Sequence, residues 1–147
     1  MIDKSDNDFL GHNVKGLMMD LVAQWNREMD QAQSLTEFSG IRPSDMRIFG
    51  HMRGRPTLLS DVHGALGISR QAAQQSVQRL LEHGVVRVDS APDSRRDKIV
   101  TVTEKGQTLR SFAAEQIRRI ELSCRARIGE DGLRHLRQLL LSLSQKQ

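Results

Sequence analysis

Residues 57–103 constrain this chain more than any other stretch. Leu58-Leu59-Ser60-Asp61-Val62-His63-Gly64-Ala65-Leu66 reads as a short helix, and Gly67 is placed to end it. Ile68 turns inward. Ser69 is a strong N-cap for a second helix, Arg70 to His83, which Gly84 closes. Val85-Val86-Arg87-Val88 and Ile99-Val100-Thr101-Val102-Thr103 are short, β-branched strands. Between them, Ala91 to Lys98 is a polar, turn-rich tip. Two helices around a tight turn, followed by a hairpin, make a helix-turn-helix with a wing.

That unit carries the chemistry of the chain. Ala73, Val77, Leu80 and Leu81 are the inward positions of the second helix, and Arg70, Gln71, Gln74, Gln75, Gln78 and Arg79 are left to face outward. A duplex major groove admits one helix, whose N-terminal turns meet base edges. Here those turns hold Ser69, Arg70, Gln71, Gln74 and Gln75. Gln suits the adenine edge and Arg the guanine edge. Arg95, Arg96 and Lys98 on the hairpin tip suit an adjacent minor groove or its phosphates. Double-stranded DNA is therefore the expected partner, with Arg79 joining the contact set. The alternative is a winged helix that binds another protein. Against it stands an outward face of Gln and Arg with no apolar anchor and no acid before Glu82.

The flanks are helical. Val14, Leu17, Met18, Leu21, Val22, Trp25 and Met29 form one apolar stripe on a helix expected over residues 9–33. Ser34 to Gly40 is a break, and Pro43 opens a short helix through Met52. Thr103 caps a long helix striped with Leu109, Phe112, Ala113, Ile117, Ile120, Cys124 and Ile128. Gly129 breaks it, and Leu133, Leu136, Leu139, Leu140 and Leu143 form the last helix. Apolar stripes at both ends of a 147-residue chain exceed what one small winged core covers. A homodimer buries the surplus and sets two recognition helices about 34 Å apart, one DNA turn.

At this point the sequence resembles a family. Arg95-Arg96-Asp97-Lys98, followed by Val102-Thr103-Glu104-Lys105-Gly106, looks like the wing signature of the multiple-antibiotic-resistance regulator (MarR-type) family. Leu80-Leu81-Glu82-His83-Gly84-Val85-Val86 is similar to that family's helix end and first wing strand. Leu59-Ser60-Asp61-Val62 and Leu66-Gly67-Ile68-Ser69 resemble its helix-turn-helix entry. The resemblance implies a homodimer on a pseudo-palindromic operator, usually a repressor, released by small phenolic or otherwise lipophilic acids. It also makes Ser69, Arg70, Gln71, Gln74 and Gln75 recognition contacts and Arg96 the wing-tip contact, with Asp93 the acid that opens the wing. His63 departs from the pattern, in which a small Ala is usual.

The resulting expectation is a mainly α fold with a small β-hairpin: a winged helix-turn-helix flanked by N- and C-terminal dimerisation helices. Residues 1–147 form a single domain, 42–103 the DNA-binding lobe, and 9–33 with 104–146 the dimerisation lobe. An effector pocket between lobes is expected to use His12, Met18, Trp25, Arg47, His51 and Met52, since Met adapts to varied ligand shapes.

Composition bounds the remainder. Net charge is +4, with Arg supplying 17 of the 22 cations, which suits forked contacts to phosphate. Residues 1–41 are net −4 and the rest of the chain is basic. One Cys excludes an internal disulfide and a cysteine-built zinc site. Cys124 sits on an apolar stripe, where a structural thiol is the default. With aromatics at 3%, a base-stacking reader of single strands is disfavoured. No catalytic constellation, cofactor motif or paired metal ligands appear. No apolar run approaches the roughly 18 residues of a membrane span. The polar start, Met1-Ile2-Asp3-Lys4, is unlike a secretory signal, so the expected location is cytoplasmic.

Overall fold

The computed structural model describes residues 1–145, without the side chains of Ser94 and Arg95. The chain divides into two compact units, Met1–Gly40 and Ile41–Gln147.

The first unit holds α1 (Lys4–His12) and α2 (Val14–Gln33). The single helix expected over 9–33 is thus two helices, and Asn13 is the reason. Its backbone is extended, and its Oδ1 accepts from the Gly16 N–H at 2.9 Å, capping α2. Its Nδ2 donates to the carbonyls of Phe9 and Leu10 at 3.2 and 3.0 Å, closing α1. One Asn side chain therefore serves both helix ends. Neither helix has a buried residue.

The second unit begins with α3 (Pro43–Met52), with proline at its start and Asp45, Ile48, Phe49 and Met52 buried. β1 (Thr57–Leu58) leads into α4 (Leu59–Leu66), and after the turn at Gly67 comes α5 (Arg70–Glu82). Ser69 caps α5, its Oγ accepting from the Ala72 N–H at 3.0 Å. The buried face of α5 is Ala73, Ser76, Val77 and Leu80. Leu81 was expected inward but is 38% exposed; Ser76 takes the inward position instead. The core gathers Val62, Leu80, Val85, Val86, Val100 and Leu109, essentially without exposure.

β2 (Val86–Ala91) and β3 (Ser94–Val102) form a longer hairpin than the sequence indicated, with only Pro92 and Asp93 at its turn. β1 joins it, pairing Thr57 with Val100 and Leu58 with Ile99, so the sheet has three antiparallel strands in the order β1-β3-β2. A two-residue strand carries no period of its own and escapes a reading by periodicity. Ala91 pairs with Ser94 but Ser90 pairs with Lys98, so residues 95–97 bulge out of the ladder.

Thr103 fastens the sheet to α6 (Glu104–Ser144): its Oγ1 accepts from the Gly106 N–H at 3.1 Å and donates to the Gly84 carbonyl at 2.6 Å. Gly106 must be glycine, since a Cβ there would fall 2.1 Å from the Val85 carbonyl oxygen. Gly129 leaves helical geometry (φ 78°, ψ 166°) and breaks α6 as expected. Beyond it the chain turns back, because Arg137 reaches both carboxylate oxygens of Glu121 at 3.2 Å. Sixteen residues of unbroken helix would separate those two by about 24 Å. Leu109 and Leu133 are buried, whereas Ile117, Ile128, Leu136, Leu139, Leu140 and Leu143 of the expected stripes are exposed.

Candidate nucleic-acid interface

The interface is built on the first two turns of α5. Burial of Ala73, Ser76, Val77 and Leu80 fixes the rotation of this helix. Arg70, Gln71, Gln74 and Gln75 are consequently exposed, with Ser69 at the cap. The bulge in β3 faces the start of this helix. Ser60, Arg70, Gln74, Arg96, Asp97 and Lys98 line one shared concavity of about 350 Å³. Recognition helix and wing thus present guanidinium, amide and ammonium groups around a single recess. Lys98 Nζ donates to Ser90 Oγ at 3.3 Å, which orients it across the hairpin. The expected contact through the Arg95 side chain lies outside the described residues.

Arg79 does not join this face. Its Nε and Nη2 donate to the two carboxylate oxygens of Asp45, each at 2.9 Å, and Nη2 also donates to Ser76 Oγ at 3.1 Å. The fork is spent inside the protein, tying α5 to α3. Expectation placed Arg79 outward because helical spacing locates a Cβ but not the end of a long side chain. Asp45, the partner, stands in the first turn of α3 and is buried. Burial on its own would raise the Asp45 pKa. Hydrogen bonds from Arg79 and Ser76, with the charges of Arg79 and Arg42, outweigh it and hold the carboxyl below its ordinary value.

Asp97 is the second residue whose part was not foreseen. Its Oδ2 accepts from Ser60 Oγ at 2.6 Å, and its Oδ1 accepts from the Lys98 N–H at 2.9 Å and, at 3.4 Å, from the Ser60 N–H. The Ser60 hydroxyl leads in holding its pKa below the ordinary value, with the two N–H groups and the charge of Arg70 adding to it. A pair 37 residues apart in sequence leaves no local signal.

The residues expected at an effector pocket belong to both units. His12, Met18 and Trp25 belong to the first unit. His12 Nδ1 lies 3.3 Å from the Asp8 carbonyl oxygen, Met18 is exposed and Trp25 is half-buried. On α3, Arg47 opens onto a concavity of about 210 Å³ with Ile48, Leu66, Gln75 and Arg79. His51 opens onto a different one of about 570 Å³, beside Arg53, Arg55 and Leu58. Met52 borders the same recess as His51 but is 2% exposed, so most of it belongs to the core. Among the described residues no group of His, Cys, Asp or Glu is arranged to hold a metal. No helix among them is long and apolar enough to cross a membrane.

Residues 39–96, from before α3 into the wing, match the model of the MarR family. No curated protein matches the chain by sequence. Solved structures match its fold closely. A MarR protein from Peptoclostridium difficile superposes with a TM-score of 0.76 at 16% identity, over 98% of this chain and 90% of that one. Apo MarR from E. coli gives 0.74 at 15% identity, over 91% of this chain and 98% of that one. BpsR of Bordetella bronchiseptica, whose DNA binding is regulated by 6-hydroxynicotinic acid, gives 0.67 at 19%, over 91% of this chain and all of that one. The family's sequence pattern over residues 39–96, on a fold shared along nearly the whole chain, makes this protein similar to the MarR-type winged-helix proteins in both sequence and fold.

Proposed function

We propose that this protein is a sequence-specific, DNA-binding transcription regulator, a repressor that grips a pseudo-palindromic operator as a homodimer. One observation carries the reading. The exposed Arg70 and Gln74 share a single recess with Arg96 and Lys98 of the wing, and Gln71 and Gln75 are exposed on the same turns of α5. Gln74 and Gln75 read base edges, Arg70 a guanine edge or a phosphate, and Arg96 and Lys98 the flanking backbone. Ser69 adds the N-terminus of α5, whose free N–H groups favour an anion.

Exposed apolar surface supports the homodimer. Val14, Leu17, Met18, Leu21 and Val22 on α2 are exposed, as are Ile117, Leu122, Leu139 and Leu140 on α6. Surface of this extent is buried by a partner in a soluble protein, and a second copy supplies two-fold symmetry to match the operator. In this reading residues 42–103 are the DNA-binding lobe, and 9–33 with 104–146 the dimerisation lobe. The regulator acts in the cytoplasm, and the chain catalyses nothing.

A small aromatic or lipophilic acid releases the operator by favouring a state in which the two recognition helices no longer match successive grooves. BpsR, with its hydroxynicotinic acid, supports that class of effector. Arg47 and His51 are the polar groups offered on the second unit. His12, Met18 and Trp25 are the effector residues proposed on the first unit, and Met52 borders the recess of His51.

The test is binding of the purified protein to a duplex from upstream of its own gene, with excess nonspecific competitor and across a salt series. Saturable binding of two protomers with a steep salt slope is expected. Binding abolished by competitor on every fragment tried would overturn the reading.

A further inference from the structure

The carboxylate of Asp97 is out of place by charge alone. It stands between Arg96 and Lys98 on the rim of a recess that also holds Arg70. An acid there repels the phosphates that its neighbours attract. Its hydrogen bonds explain its presence. α4 starts behind Leu58, an N-cap residue with no side-chain oxygen, so no acceptor from its own sequence caps the first turn. Asp97 supplies one from the wing, accepting from both the N–H and the hydroxyl of Ser60. It also accepts from the Lys98 N–H. Residues 95–97 bulge from the β2–β3 ladder between the pairs Ser90–Lys98 and Ala91–Ser94.

We propose that Asp97 is a positioning residue. It pins the bulged wing to the start of the first helix of the helix-turn-helix, and so sets the distance between Arg96, Lys98 and the reading face of α5. Asp97 itself touches no DNA in this account. The wing is held as a rigid arm against the helix-turn-helix, and its cationic groups reach DNA already in place, which spares their ordering on binding. The proposal rests on the DNA-binding reading.

Ser60→Ala is the decisive variant, because it removes the hydroxyl donor without changing any charge, whereas Ser60→Thr keeps it. Two measurements are made: amide hydrogen exchange of the wing without DNA, and duplex affinity across a salt series. Ser60→Ala should speed exchange at the Lys98 amide and its neighbours about tenfold, and weaken binding about tenfold, the worth of one hydrogen bond to a charged group. The salt slope should not move, since no cation is lost, and Ser60→Thr should behave as the unaltered protein. Wild-type exchange and affinity in Ser60→Ala would overturn the proposal. So would tighter binding by Asp97→Ala with unchanged wing exchange, which would make the carboxylate a purely electrostatic brake. If the unaltered protein binds no duplex, the DNA reading fails, and the exchange measurement alone decides whether the pin exists.

Discussion

The inner face of α5 and the apolar stripe of α2 follow the same helical period, yet they end in opposite environments. Ala73, Val77 and Leu80 are buried against α3, α4 and the sheet within their own unit. Val14, Leu17, Met18, Leu21 and Val22 remain exposed, Leu21 at 42%. A hydrophobic period identifies a face that has to be covered; it does not name the cover. Residues 43–109 contain their own cover, in helices capped by Ser69 and Thr103 and a sheet closed on Gly106. The flanking stripes do not, and the proposed second copy accounts for them. Each such side chain, fully buried, contributes about 1.5–3 kcal/mol, so a paired α2 would be a major source of stability.

The largest expected effect breaks the comparison on its exposed side. Leu21→Glu should turn the proposed dimer into a monomer by light scattering. Its duplex affinity should fall about 100-fold or more, because the two half-sites are then no longer held by one particle. The same change in a protein that is monomeric from the outset would leave both quantities alone.

The next effect is on the buried side. Arg79→Ala strands the Asp45 carboxylate, and a loss of about 3 kcal/mol is expected by urea unfolding. The Asp45 pKa is lowered below 3.8 in the folded protein. Its contribution is therefore complete above the unfolded value and disappears as pH falls through the lower folded one. Asp45→Asn should flatten the loss of stability below about pH 4. An unchanged pH profile would mean that the ion pair stabilises nothing.

Smaller effects sharpen the reading of α5 against the wing. Gln74→Ala should relax preference at one base position by about 1–3 kcal/mol. Arg96→Ala should weaken binding to all sequences alike and lower the salt slope by about one. Exchanged phenotypes would reverse the roles of helix and wing. Smallest of all, Leu81→Ala should change stability by less than about 0.5 kcal/mol, because the side chain faces solvent.

Much of this architecture was legible because it is local. Gly67, Ser69, Gly84, Thr103 and Gly129 are punctuation with a direct backbone meaning, and each bounds an element where the sequence placed a boundary. The misreadings involve pairing between distant residues. Asn13 lies inside the helix expected over 9–33, although its side chain closes one helix and opens the next. β1 exists only because β3 lies beside it. Arg79 was placed on the outward face, and only the fold brings Asp45 within its reach. Asp97 read as one more polar residue in a loop, because Ser60 is 37 positions away. For the candidate site, the reading face of α5 followed from caps and period. On α3, Arg47 and His51 open onto separate recesses, because a recess depends on which elements meet.

The most direct test of the central claim is selection of genomic DNA fragments by the purified protein, with sequencing of those retained. The account predicts a shared two-fold-symmetric motif with half-sites about one helical turn, roughly 10 base pairs, apart. It also predicts loss of that motif when Gln74 and Gln75 are both replaced by Ala. Retained fragments with no common motif, or the same motif from the doubly substituted protein, would contradict it.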